Sequence, residues 1–182
     1  MKKRIMLIGS MMLVLTIFAA GVTYAFLASK SRPVVNTFVA GKIQLSLTES
    51  TGSRYILVPG TDVPKDPRVT VGKGSEECWL FVRVVGDSAL DSVVTYAVDD
   101  GWTLVDGEED VYWRKVSAVT EEKSYAILKN DRFSVESTAT EEMLLSLGNG
   151  QKLTFRAYAV QTEGMSAPEM AWQKAQSMEE EA

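Results

Sequence analysis

The chain contains no histidine and only one cysteine, Cys78, among its 182 residues. Without histidine there is no Ser-His or Cys-His nucleophile pair, no imidazole ligand for a catalytic zinc, and no side chain that titrates unperturbed near neutrality. A carboxylate pair is still open to glycoside chemistry, but no spacing brings two acids together in a cleft. The residues therefore assign no catalytic residue, no metal-ligand set and no cofactor site, and the expectation is a protein that is not an enzyme. A lone cysteine also excludes an internal disulfide, so the fold must be held by core packing. Only five prolines occur, and three of them crowd between Pro59 and Pro67. There is no internal repeat, no low-complexity segment, and no apolar run of spanning length after the first thirty residues.

Those thirty residues carry the first positive signal. A basic start (Lys2, Lys3, Arg4) precedes an apolar stretch from Ile5 to about Ala20 and a small-residue exit, the three parts of a secretory signal. Thr23 and Ala25 supply the small side chains at −3 and −1, which places the cut after Ala25 and makes Phe26 the first mature residue. The competing reading is an uncleaved anchor, since Ile5 to Leu27 is free of charge and long enough for a core of roughly 30 Å. Gly9, Ser10, Thr16 and Gly21 dilute that stretch and favour cleavage. The chain thus divides into a cleavable signal over 1–25, an extended N-terminal segment over 26–40, and a single domain with a C-terminal helix over 41–182. The terminus Glu179-Glu180-Glu181-Ala182 offers neither a hydrophobic tail nor a sorting motif, so membrane contact is expected only before cleavage. Three of the 19 Lys and Arg lie in the signal, leaving 16 against 24 Asp and Glu, a net charge of −8. That balance argues against nucleic acid or anionic lipid as the main partner.

In the mature chain short segments of alternating hydrophobicity lie between turn signals, the pattern of an antiparallel β-sandwich with one wet face on most strands. Ile43, Leu45 and Leu47 alternate with polar neighbours. Tyr55 to Val58 stops at Pro59-Gly60, a type II turn sequence. The prolines up to Pro67 predict an edge or an ordered extended connection, after which Val69 and Val71 resume pairing. Trp79 to Val85 is apolar on both faces apart from Arg83 and reads as a central strand. Val94, Tyr96 and Val98 predict the next strand. Trp102 to Val105 and Val111 to Lys115 predict a hairpin turning at Asp106-Gly107, and Ala126 to Lys129 with Arg132 to Val135 a second one turning at Asn130-Asp131. Leu153 to Gln161 is the last strong strand. Two short helices interrupt the pattern: one from Thr140 to Leu147 ending at Gly148, the other opened by a capping box, Ser166 to Glu169, with Pro168 in its first turn.

Three clusters invite a functional reading beside a plainer one. Asp99, Asp100, Asp106, Glu108, Glu109 and Asp110 resemble a calcium site in composition but not in loop spacing, and solvated hairpin acids, the favoured reading, explain them without any ion. Trp79, Trp102, Trp113 and Trp172 form either a sugar-binding platform or, being in different elements, core and groove packing. Cys78, next to Trp79 and without a base, reads as a buried inert thiol, with an exposed cysteine bridging two chains as the alternative.

The order of features from Gly21-Val22-Thr23-Tyr24-Ala25-Phe26, through Asn36-Thr37-Phe38-Val39-Ala40-Gly41-Lys42-Ile43, to Leu57-Val58-Pro59-Gly60 and Pro64-Lys65-Asp66-Pro67 resembles the TasA and camelysin family of Gram-positive exported proteins. The resemblance covers residues 21 to about 85, and beyond that only general architecture. It implies a jelly-roll-like sandwich, release by a SipW-type signal peptidase, a place outside the cell in matrix or on the surface, and self-assembly into biofilm fibres. The implied partner is a second copy of the chain, joined by donor-strand addition in which Val34, Val35, Phe38 and Val39 fill a neighbour's groove. Pro33 departs from what a central ladder would accept. The alternatives are a monomeric exported module that binds a cell-surface ligand, and a camelysin-like metalloprotease, for which no His-Glu-x-x-His helix is present.

Overall fold

In a computed structural model the residues described are 36–52, 55–147 and 152–180, all within a compact unit running from Pro33 to Ala182. The signal-cleavage residues Thr23, Ala25 and Phe26, the segment residues Val34 and Val35, and the helix-ending Gly148 lie outside the described residues.

The fold is mainly β, with eleven strands and two α-helices among the described residues. Five strands form the largest sheet, in the order β1 (Asn36–Ala40), β11 (Leu153–Gln161), β5 (Cys78–Gly86), β8 (Val111–Val116) and β7 (Thr103–Leu104). β2 (Leu45–Thr48), β4 (Arg68–Val71) and β9 (Lys123–Ala126) form a second sheet. β3 (Asp62–Pro64), β10 (Arg132–Val135) and β6 (Val94–Thr95) form a third, and the helices are α1 (Glu141–Ser146) and α2 (Pro168–Glu180).

β5 is central because both of its faces are apolar. Leu80, Val82 and Val84 join Ala157 and Ala159 of β11 against Leu47, Val69 and Val71 of the second sheet, which makes the sandwich core. On the opposite face Trp79 and Phe81 join Tyr158 and Val160 under Ala171, Trp172 and Ala175 of α2. The helix thus forms a third layer, and β11 is buried on both faces rather than one. Prolines sit where strand pairing allows them: β3, which ends at Pro64, is an edge strand, and the Pro59-Gly60 turn closes with the Thr61 amide donating to the Val58 carbonyl at 3.2 Å.

Several expectations need correction. The second hairpin does not form. Asn130 and Asp131 do adopt positive φ, 58° and 52°, but the chain continues in the same direction along its neighbour. Leu128 bridges Val98 before the turn, and Ser134 pairs Thr95 after it, so the register slips by the three residues of the turn Lys129–Asp131. Left-handed residues here make a bulge and not a reversal, because Ile127, Leu128, Phe133 and Val135 must all stay buried on the way from one core cluster to another. For the same reason the strand expected over Val94, Tyr96 and Val98 is broken into β6 and the isolated Val98 bridge. Finally, the sheets are antiparallel at every described pair except β1–β11, which is parallel; most of the domain serves as the crossover that a parallel pair requires.

Thr140 caps α1 by accepting from the Met143 amide. At α2 the Ser166 hydroxyl lies 3.3 Å from Met170 Sδ, in place of the expected capping box.

Candidate functional site

Of the residues expected to drive self-assembly, the structure describes Phe38 and Val39. Both lie in β1, which among the described residues stands at one edge of the five-stranded sheet and pairs with β11 alone. Register places Phe38 opposite Tyr158 and Val39 opposite Ala159. Alternation then splits their roles. Phe38 and Ala40 turn towards α2, and the Phe38 ring stacks on Tyr158 with centroids 4.9 Å apart and planes 13° from parallel. Val39 lies on the opposite face, the side of Ala159, and is 38% exposed at the sheet's edge. An aromatic pair of this kind contributes roughly 0.5–1.5 kcal/mol beyond its buried area, so Phe38 is the main anchor of a five-residue strand. Immediately after it, Gly41 has φ +109°, and a Cβ there would run into the Gln161 side chain. A glycine is required at the point where the chain leaves β1 for the second sheet.

Tyr158 is fully buried and belongs as much to α2 as to β1. Trp172 meets its ring edge-on at 5.1 Å, and its hydroxyl donates to Glu179 Oε2 at 2.9 Å. Glu179 also pairs with Arg156 and lies 4.0 Å from Arg83. Sequence alternation hid this surface, since Arg156 and Tyr158 read as the wet face of β11. The capping signals at 166–169 announced a helix but not where it packs.

Among the described residues the acids do not gather around a cation site: Asp106 and Glu109 are exposed, and the other four each have a partner. Asp110 accepts from Arg83 Nε at 2.9 Å, and Glu108 accepts from Trp172 Nε1 at 2.7 Å. Asp100 pairs with Lys129 at 2.7 Å, and Asp99 accepts from the Gly101 amide. Arg83 is the one charge on an otherwise apolar strand; burial works against its proton, but Asp110 and then Glu108 hold it charged. Its cation also lies over the Trp172 ring at 5.8 Å. Among the described residues no three His, Cys, Asp or Glu side chains converge as a metal site would need.

The tryptophans do not form a platform. Trp79, Trp102 and Trp172 are buried and distributed over the two faces of the large sheet, while Trp113 packs edge-on against Trp79 at 5.2 Å. Cys78 is fully buried, so the interchain disulfide has no exposed thiol to form from; burial pushes the thiol up to about 11, and Glu77 adds to it.

One charged centre was not foreseen. Lys65, between Pro64 and Asp66, is 4% exposed, and its Nζ donates to Glu49 Oε1 at 2.8 Å. Tyr55 donates its hydroxyl to the same oxygen at 2.6 Å; burial, and then Glu49, pushes that hydroxyl well above its usual range, so it remains a donor. Lys65 also sits over the rings of Tyr55 and Phe155, at 5.1 and 5.5 Å. Asp66, next in sequence, accepts from the Ser50 and Thr51 amides at 2.9 Å. Together these residues tie the 49–52 loop to the proline-rich connection, a structural role that isolated charges in a sequence do not reveal.

Among the described residues no helix is long and apolar enough to cross a membrane. No family model, curated protein or solved structure matches the chain.

Proposed function

We propose that the chain is an exported structural protein that self-assembles, each copy passing its N-terminal strand to the next. The observation that carries this reading is the position of β1: among the described residues it is the first strand, lies at a sheet edge, pairs with β11 alone and is followed by Gly41. An edge strand presents unpaired backbone groups, and a strand that can leave its own sheet is able to satisfy the same groups in a neighbour. The leader read over 1–25 and the resemblance of residues 21 to about 85 to the TasA and camelysin family point the same way. They add a jelly-roll-like arrangement, SipW-type processing, an extracellular location and biofilm-matrix fibres to the proposal.

Under this reading, cleavage after Ala25 frees the strand. Electron microscopy of a chain beginning at Phe26, beside one with extra residues ahead of Phe26, tests it. Filaments only from the first are expected, and identical monodisperse particles from both would overturn the reading.

A further inference from the structure

β1 and α2 meet on the Tyr158 side chain. The Tyr158 ring takes Phe38 of β1 on one face and Trp172 of α2 against another side, while its hydroxyl is held by Glu179 near the end of the helix. Phe38 and Ala40 belong to the same apolar cluster as Ala171, Trp172 and Ala175, and α2 packs directly on β1 as well as on β11 and β5. Beyond Tyr158, the helix is tied down by polar contacts that do not involve β1. Trp172 Nε1 donates to Glu108 at the tip of the β7–β8 hairpin, Gln176 reaches the same carboxylate at 3.3 Å, and Glu179 pairs with Arg156. Removing Phe38 from its stack uncovers the Tyr158 ring against which Trp172 also packs.

We infer that α2 is the retaining clip of β1: strand and helix open as one unit, and the strength of the helix's docking sets how readily the strand leaves. The inference rests on the proposal that β1 exchanges between copies, but the coupling itself is a property of one molecule. Coupling of two elements through a shared contact is reciprocal, so opening of the helix must ease opening of the strand by the same factor as opening of the strand eases that of the helix. Local openings of this kind are read by amide hydrogen exchange, which separates weakly held elements from the core.

The test is hydrogen exchange with mass readout on the soluble full mature chain. The variants are Glu179→Gln and Trp172→Ala on the docking side, Phe38→Ala on the strand, and Lys174→Ala on the exposed side of α2 as the control. Peptides spanning β1 and α2 are expected to share one exchange rate in the parent. Glu179→Gln should speed both by about 10-fold or more, and Trp172→Ala by more again, an energy of ~1.4 kcal/mol per tenfold. Phe38→Ala should speed α2 as well as β1, and Lys174→Ala should change neither. If Glu179→Gln speeds α2 but leaves β1 unchanged, the clip does not exist, and this mild variant gives that answer even if Trp172→Ala fails to fold. Filament growth is scored separately. Faster growth in Glu179→Gln supports the clip, whereas absence of filaments from parent and variants alike would defeat the exchange proposal and not the coupling.

Discussion

At the residue scale the least expected feature is the Lys65–Glu49 pair, closed off from solvent in a chain with no disulfide. A buried ion pair is weak evidence of net stabilisation, but breaking one leaves an uncompensated charge that costs about 3–5 kcal/mol. Lys65→Met should therefore lower stability by about that amount in urea unfolding, and adding Glu49→Gln, which keeps an acceptor for Tyr55, should restore at least half of the loss. A single variant within about 1 kcal/mol of the parent would show that Glu49 keeps other support. Asp66 gives a pH signature. Partial burial raises its pKa, yet the Ser50 hydroxyl and the Ser50 and Thr51 amides hold it down to about 2, against an ordinary 3.8. A carboxyl depressed in the folded state stabilises fully above its unfolded pKa, and this contribution is lost as pH falls from about 4 towards 2. Asp66→Asn should accordingly be less stable than the parent at pH 6, with the difference closing by pH 2. A difference that stays constant across that range would contradict the assignment.

Among the elements, β1 depends on the residue that ends it. Gly41→Ala places a side chain at φ +109° and against Gln161, a backbone strain of order 1–3 kcal/mol. The substitution should lower the thermal midpoint and speed hydrogen exchange in β1 before it does so in β5. Much of this layer was legible in the sequence. The two-faced run at 79–85 became the central strand, the prolines of 59–67 an edge, and the segment 140–147 a short helix, since each rests on local backbone chemistry. What was not legible is what distant segments decide. Asn130-Asp131 has the dihedrals of a reversal but serves as a bulge, because burial of Ile127, Leu128, Phe133 and Val135 outweighs turn preference. The alternation of β11 sets Tyr158 with Thr154 and Arg156, opposite Phe155, Ala157 and Ala159, and does not announce that α2 covers it. The Lys65 centre needs residues from both ends of the 49–65 loop, which no local pattern announces.

For the molecule as a whole, the central claim is that β1 is a detachable edge of its own sheet. The β1–β11 register places Val39 opposite Ala159, so the strand can be locked by a disulfide between these positions in a Cys78→Ser background, which removes the chain's only thiol. Electron microscopy of this Val39→Cys, Ala159→Cys chain, beginning at Phe26, is then made with and without reductant. The account predicts monodisperse particles when the strand is locked and filaments once the bond is reduced. Filaments that grow equally well from the locked chain would contradict it.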